Sequence, residues 1–366
     1  MNEALLLGGR RSPILPAHGE LSGWHPVELL AHTLRGTVEQ LDVDPASIDA
    51  IFCGCSQPVG AQANAMANAA SLLLGWSDDI VVTMVEGGAA SGHLALLHAV
   101  AAVETGMARA AIGCAVEVMS LVPEGATALA RNYGRVWGDQ FAATHGEGML
   151  PPPAAADQWA IDAGWTHQQL AASVARRHEI PARSGLLETQ LKHRDGATIT
   201  VEQRTRSSDF HATLSTAPLE PVHGSGGLLT ADMVAQMADG AAAIVVGTTA
   251  PGSSGATAAA RPIGPLERVG GSSHTDPALV VTAATRALER CRSAQVHVDE
   301  PTAATALAAD LAGLEPGQPG ALMTGRPGAV GPVAAMADFL TSDHETAVFA
   351  SNLGLGPAIA TTLQRV

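Results

Sequence analysis

The sequence predicts an α/β fold whose largely parallel sheet is covered by helices on both faces. Three observations carry this. Short apolar, β-branched runs alternate with longer stretches of helical pattern. The best-marked unit, residues 79–120, reads strand, glycine-rich turn, helix, strand. The same alternation returns after residue 263, which points to a second α/β half.

In order along the chain, residues 3–9 form an apolar strand that runs into Arg10-Arg11-Ser12-Pro13. Val27, Leu30, Leu34, Val38 and Leu41 fall at helical spacing behind His25-Pro26, and proline suits a first helical turn. Asp44-Pro45 marks a turn, residues 50–55 a strand, and the Ala/Asn/Leu-rich stretch 61–74 a helix. Residues 80–86 are a second strand, broken by Gly87 and Gly88. From 89 to 105 the chain is apolar on every face, with His93, His98 and Glu104 as the main interruptions. Such a helix belongs in a core, where His93 is tolerated as a polar group. Gly106 stops it, and 110–119 returns as a strand. The turn ahead of the helix holds Ala89, Ala90 and Ser91. Free backbone N–H groups and the positive end of the helix dipole gather there, the place to stabilise a thiolate or an oxyanion.

The middle third changes character. Residues 120–231 contain Pro151-Pro152-Pro153, Trp137, Trp159 and Trp165, and one clear amphipathic helix over 166–178 that ends in Arg176-Arg177-His178. Residues 244–247 form a strand, and 249–262 read as a Pro/Gly/Ser/Ala linker. Beyond it come helices over 276–290, 302–311 and 333–340, with strands near 296, 347–349 and 358–363. No short-period repeat is present.

Composition narrows the function. The net charge of −15 argues against nucleic acid and anionic membrane surfaces as partners. Aromatic residues make up only 3%, so the core must be built from Ala, Val, Leu and Ile. Nine of the 20 Lys and Arg residues crowd between 131 and 206 (Arg131, Arg135, Arg176, Arg177, Arg183, Lys192, Arg194, Arg204, Arg206). This is either a docking place for a phosphorylated ligand or a solvated face. Cys53, Cys55, Cys114 and Cys291 show no metal-ligand spacing and read as structural, so no metal is expected. No run approaches the ~18–20 apolar residues of a membrane span and no leader is evident, so a reducing, cytoplasmic location is expected.

The turn segment Val85-Glu86-Gly87-Gly88-Ala89-Ala90-Ser91-Gly92 resembles the thiolase family, in the branch close to the sterol-carrier-protein thiolases. That branch has Val-Glu-(Gly/Ala)-(Gly/Ala)-Cys-Ala-Ser-Gly, so Ala89 stands at the nucleophilic cysteine. The resemblance implies a thiolase fold: two βαβ-type halves in a five-layer αβαβα arrangement with an inserted loop domain. On that basis the N-terminal half is 1–119 plus 232–250, the loop domain 120–231, and the C-terminal half 260–366. The family motif ending Asn-Asp-Gly-Ala-Ala-Ala is retained at Asp239-Gly240-Ala241-Ala242-Ala243, while the Ser-Gly that meets pantetheine becomes Ala235-Gln236, and Gln236 could narrow that channel.

Claisen-type acyl transfer needs a nucleophile, a base that activates it, an acid/base for the α-carbon proton, and donors for the developing oxyanion. The resemblance places these at the cysteine turn and three C-terminal motifs. Asn-Glu-Ala-Phe, or His-Asp-x-Phe, matches His297-Val298-Asp299-Glu300-Pro301-Thr302-Ala303, with Asp299 at the Asn or His and His297 available by a register shift. Gly-His-Pro-x-Gly-Ala-Ser-Gly becomes Gly325-Arg326-Pro327-Gly328-Ala329-Val330-Gly331. Arginine stays protonated near neutral pH and cannot act as the base, but Arg326 could bind a carboxylate or pair with Asp299 or Glu300 and plug the site. In the Cys-x-Gly stretch Ala350 takes the second cysteine.

With the family positions occupied by Ala89, Asp299, Arg326 and Ala350, the leading expectation is a non-catalytic subunit. It would join a homo- or hetero-oligomer with a competent thiolase or a zinc/OB-fold partner, with no cofactor beyond a possible CoA or acyl-CoA ligand. Arg176, Arg177, Arg183, Lys192 and Arg204 are the candidates for the CoA phosphates. The competing expectation is a divergent acyltransferase or carbon–carbon lyase that uses Ser91, His93, His297, Asp299, Glu300 or Arg326; Tyr133 alone is available for tyrosine-based chemistry. A third is an acyl-CoA or lipid-binding module without a partner enzyme.

Overall fold

A computed structural model describes residues 2–129, 134–145, 152–179, 191–192, 198–199, 226–248, 259–270, 276, 278–291, 294–315, 321–354 and 356–366. Its strands are β1 (Leu5–Arg11), β2 (Leu15–Pro16), β3 (Ala50–Gly54), β4 (Val81–Val85), β5 (Ala110–Val118), β6 (Leu191–Lys192), β7 (Thr198–Ile199), β8 (Ala238–Gly247), β9 (Ala260–Val269), β10 (Gln295–Val298), β11 (Thr346–Asn352) and β12 (Ala358–Arg365). β6 and β7 pair separately; the main sheet runs β10-β11-β12-β9-β1-β8-β5-β3-β4, with β2 beside β8. β4, β3 and β5 are mutually parallel, as are β10 and β11, while β5-β8-β1 and β11-β12-β9 are antiparallel. The two halves of the sheet join at a single pair, Leu6 with Ala260.

Helices fill three layers around these two half-sheets. Pro26–Gln40 and Met66–Leu73 cover one outer face, packing Leu29, Leu30, Leu34 and Ala67 against Ile51, Ile112 and Val245. Ser91–Glu104 and Val330–Leu340 lie between the half-sheets and contribute Leu96, Val100, Val333 and Phe339 to the central core. Ala278–Leu288 covers the other outer face, with Val280 and Ala284 against Val348 and Ala360. Pro152–Asp162 and His167–Glu179 stack on Ala303–Leu311 through Ala160, Leu170, Val174 and Leu307. The expected layering of helices and sheets is therefore observed.

The structure differs from the sequence reading at several elements. The helix expected over 61–74 begins only at Met66, because Asn64 and Ala65 adopt left-handed φ of 60° and 56°. The strand expected over 244–247 starts at Ala238 and carries Asp239-Gly240 inside the sheet. β9 is masked in the sequence by Pro262, Gly264 and Pro265 and in part by the expected linker; Pro265 falls where the ladder against β12 shifts register, whereas Pro262 pairs in register with Leu363. Pro152–Asp162 gave no periodic signal because its buried residues are mostly alanine.

Candidate functional site

The turn before the Ser91–Glu104 helix is shaped by packing. Gly88 has φ of +63°, and a Cβ there would stand 2.8 Å from the Gly354 nitrogen. Gly354 N–H in turn donates to Gly87 C=O at 3.1 Å. A Cβ on Gly92 would meet the Ala329 carbonyl oxygen at 2.1 Å. Both glycines thus allow the N-terminal turn to touch backbone from the C-terminal half. Ser91 is spent on the turn itself: its Oγ accepts from Gly87 N–H at 2.9 Å and donates to Gly88 C=O at 2.6 Å. Ala89 is half-buried at the same bend.

One turn further on, His93 is more than a tolerated polar group. It is fully buried, with Nδ1 3.0 Å from Ser351 Oγ and Nε2 2.8 Å from Thr361 Oγ1. The ring spans from the central helix to β11 and β12. Burial pulls its pKa down to about 3, so it is neutral at physiological pH.

None of the four cysteines stands in the central layer with this turn. Cys53, Cys55 and Cys114 belong to the outer cluster under the Pro26–Gln40 and Met66–Leu73 helices, across the sheet from Gly54, whose face meets Ser91 and Gly92. The Cys53 thiol is pushed up by its hydrogen bond with Cys114 and by burial, and the Cys55 thiol by burial. Cys291 lies 3.9 Å from Thr362 Oγ1, on the face of β12 opposite Thr361.

The C-terminal positions come together around a cavity of about 130 Å³. His297, Asp299, Glu300, Arg326 and Ala350 all line it, whereas Ala89 and Ser91 do not. Strand alternation puts His297 and Asp299 on one side of the chain, so no register shift is needed for both to reach the same space. The His297 ring stacks on Phe349 with centroids 4.7 Å apart. Asp299 is half-buried, yet its Oδ2 is sealed from solvent and has no hydrogen-bond partner. Burial and the neighbouring Glu300 push its carboxyl up to about 6, against the hydrogen bond from Asn352. Ala350 sits in β11 between Val298 and Ala360 and packs in one cluster with Val280 and Ala284 of the Ala278–Leu288 helix as well as bordering the cavity.

Two expected pairings are corrected. Arg326 forms its ion pair with Glu124, not with Asp299 or Glu300. Glu300 is instead held by Arg177 through two bonds, Nη2 to Oε1 at 2.6 Å and Nε to Oε2 at 3.0 Å. Both of those side chains are buried, so Glu300 is committed to the scaffold. Arg326 is buried, and burial lowers its pKa to about 10, which leaves it charged at neutral pH. Gln236 itself is exposed, and its carbonyl accepts from Arg326 N–H at 2.7 Å.

The basic cluster is also partly reassigned. Arg177 faces inward and pairs with Asp310 as well as Glu300, so it is not available to a phosphate. Arg176 is exposed but shares Asp310. Lys192 closes β6, and Arg183, Arg204 and Tyr133 lie outside the described residues.

Three residues of this region escaped the sequence reading: Glu124, Asn352 and Glu117. Glu117 is the one carboxylate in the wholly buried β5; it accepts from Ser56 N–H and, at 2.8 Å, from Gln62 Nε2, while burial raises its pKa. A lone charge in an otherwise apolar strand was the signal that could have found it. Among the described residues, no group of three or more His, Cys, Asp and Glu could hold a metal ion, and no helix is long and apolar enough to cross a membrane.

Comparison with known proteins agrees with the fold. Residues 4–250 match the family model for the thiolase N-terminal domain. The steroid 3-ketoacyl-CoA thiolase FadA6 of Mycobacterium tuberculosis is 25% identical over 260 residues, covering 67% of this chain and 62% of that protein. The peroxisomal 3-ketoacyl-CoA thiolase 2 of Arabidopsis thaliana is 25% identical over 263 residues, covering 67% of this chain and 55% of that protein. The chain thus spans less than two thirds of the length of these relatives. The crystal structure of the dimeric peroxisomal thiolase of Saccharomyces cerevisiae superimposes with a TM-score of 0.82 at 19% identity, covering 100% of this chain and 98% of that one. The Bacillus anthracis acetyl-CoA acetyltransferase gives 0.80 at 19% identity, covering 100% and 99%.

Proposed function

This chain belongs to the thiolase family, and from that premise we propose that it serves acyl-CoA metabolism as a non-catalytic, cytoplasmic subunit of a heteromeric thiolase-type complex. The carrying observation is that the helix-terminal turn presents Ala89, while every cysteine of the chain lies in another layer. Covalent acyl transfer through a thioester has no sulfur to start from. The catalytic positions are read as replaced, and the branch as one close to the sterol-carrier-protein thiolases.

An assembly role needs an interface, and β4 supplies a suitable one. It is one of the sheet's two edge strands, with Val81 64% exposed and Leu72 and Leu73 of the preceding helix also exposed. A catalytically competent thiolase or a zinc/OB-fold protein would be the partner. Residues 120–231 are proposed as the loop domain, inserted between 1–119 with 232–250 and the C-terminal half 260–366. Arg176, Arg183, Lys192 and Arg204 remain the proposed docking place for CoA phosphates.

The test is expression alone and together with the products of neighbouring genes, followed by size-exclusion mass and an acetoacetyl-CoA thiolysis assay. Co-elution with a partner and no thiolysis by the chain alone is expected; thiolysis by the isolated chain ends this reading. Asp299 supports a second reading. A carboxylate steadied by Asn352, with one unengaged oxygen on a cavity, is the equipment of a general base, and would suit a carbon–carbon lyase or acyltransferase.

A further inference from the structure

Arg326 lines the cavity from a rigid mount. Its N–H donates to Gln236 C=O at 2.7 Å, and its C=O accepts from Ala238 N–H at 3.2 Å, at the start of β8. A guanidinium carries five N–H donors. Among the described residues its side chain has one partner, the carboxylate of Glu124. The two members of the pair are unequally placed. The Arg326 side chain is 10% exposed, whereas that of Glu124 is 33% exposed. Glu124 also sits in the turn that follows β5, between Pro123 and Gly125. The cation is therefore fixed inside against the cavity, while its more exposed counter-ion, Glu124, stands outside the cavity lining.

We propose that Glu124 acts as a resident stand-in for a ligand, and that the cavity binds a short-chain carboxylate whose anionic group takes Glu124's place on Arg326. Three features define the ligand class. The cavity volume of about 130 Å³ far exceeds the ~10–15 Å³ that admits one water, and falls short of the ~300 Å³ of sites for larger ligands. That is room for a chain of a few carbons. The walls between the polar groups are apolar, with Ile14, Val298, Pro327 and Ala335 available to an aliphatic stem. Asp299 Oδ2, buried and without a partner, is an acceptor waiting for a hydroxyl hydrogen. A short hydroxy acid satisfies all three. Its binding exchanges one arginine–carboxylate pair for another, so the buried guanidinium is never left without a counter-ion.

Other charges around the cavity leave Arg326 as the anion's site. Arg11 is held by Asp338 at 2.8 Å, and Glu300 is held by Arg177. Glu315 and Asp299 are acidic and would repel a carboxylate placed on them.

Calorimetry on the full-length chain tests this with 3-hydroxybutyrate, its methyl ester and 3-hydroxybutyryl-CoA. Glu124→Gln removes the internal competitor, so it should bind the free acid at least tenfold more tightly than the unaltered chain. The ester and the thioester, which lack a free carboxylate, should gain nothing. Glu124→Asp, which shortens the arm by one methylene and keeps a counter-ion, should shift affinity in the same direction by less. Adding Arg326→Gln to Glu124→Gln should abolish binding of the acid. An unchanged or weaker affinity in both Glu124 variants overturns the proposal, as does an equal gain for the ester. Because the readout is binding by the chain alone, it is independent of whether a partner subunit exists.

Discussion

Arg177 and Glu300 form a forked ion pair across 123 positions of sequence, with both side chains almost wholly buried. The pair joins the His167–Glu179 helix to the segment that carries Asp299. Removing one partner leaves the other charge buried without compensation. Arg177→Met should therefore lower unfolding free energy by about 3–5 kcal/mol. Replacing both, as Arg177→Met with Glu300→Leu, should recover most of that loss, because Asp310, the other carboxylate that Arg177 holds, keeps Arg176 and Ser173 as partners. Urea unfolding of the single and double variants checks this, and a double variant as unstable as the single one would show that packing, not charge, dominates.

His93 makes stability depend on acid. Its folded pKa of about 3 lies below the ordinary value of 6.5, so the unfolded chain takes up a proton that the folded chain refuses. Above about pH 6.5 both states are neutral and His93 contributes no slope. As pH falls from 6.5 towards 3, the folded state should lose about 1.4 kcal/mol per pH unit from this group. His93→Gln, which keeps hydrogen-bonding capacity towards Ser351 and Thr361, should flatten that part of the profile. Thermal melts of both forms between pH 4 and 8 measure it; parallel profiles would remove His93 from the account.

These two relationships mark what the sequence could and could not reveal. The alternation of apolar runs exposed the layers because burial imposes periods of 2 and 3.6 on the residues themselves. Gly87, Gly88 and Gly92 were legible as a turn because their conformation is local. Long-range partnerships were not: nothing in the spacing of Arg177 and Glu300, or of Arg326 and Glu124, announces a pair. That is why Arg177 reads as a phosphate ligand and Arg326 as a partner of Asp299 or Glu300. β9 was missed for a different reason, since its prolines oppose strand propensity and only the pairing with β12 overrides them.

The turn glycines and Ala89 should respond oppositely to substitution. Gly92→Ala drives a methyl to 2.1 Å from the Ala329 carbonyl and should be strongly destabilising, by about 1–3 kcal/mol or more. Ala89→Cys adds one sulfur at a half-buried bend and should leave stability nearly unchanged. Its thiol, at the N-terminus of the Ser91–Glu104 helix, should react with iodoacetamide faster than the four native cysteines at pH 7. It should nevertheless fail to support thiolysis, because Arg326 cannot serve as the base. Labelling rates, melting temperatures and an acetoacetyl-CoA assay separate these outcomes; thiolysis by Ala89→Cys would mean that the remaining machinery is intact.

Asp299 gives the complementary pH signature. Its folded pKa of about 6 is raised above the ordinary 3.8, so the folded chain holds a proton that the unfolded chain releases. Stability from this group is complete below about pH 4 and is lost as pH rises through 6, at about 1.4 kcal/mol per unit across that window. Asp299→Asn keeps the shape and removes the charge beside Glu300. It should therefore raise the melting temperature at pH 7.5 and leave it nearly unchanged at pH 4. If Asp299 is a general base, the same substitution should also abolish any lyase activity while the fold becomes more stable, which distinguishes lost chemistry from lost structure. A variant that is less stable at pH 7.5 would show that the Asn352 hydrogen bond to the ionised carboxylate outweighs the cost of burying it.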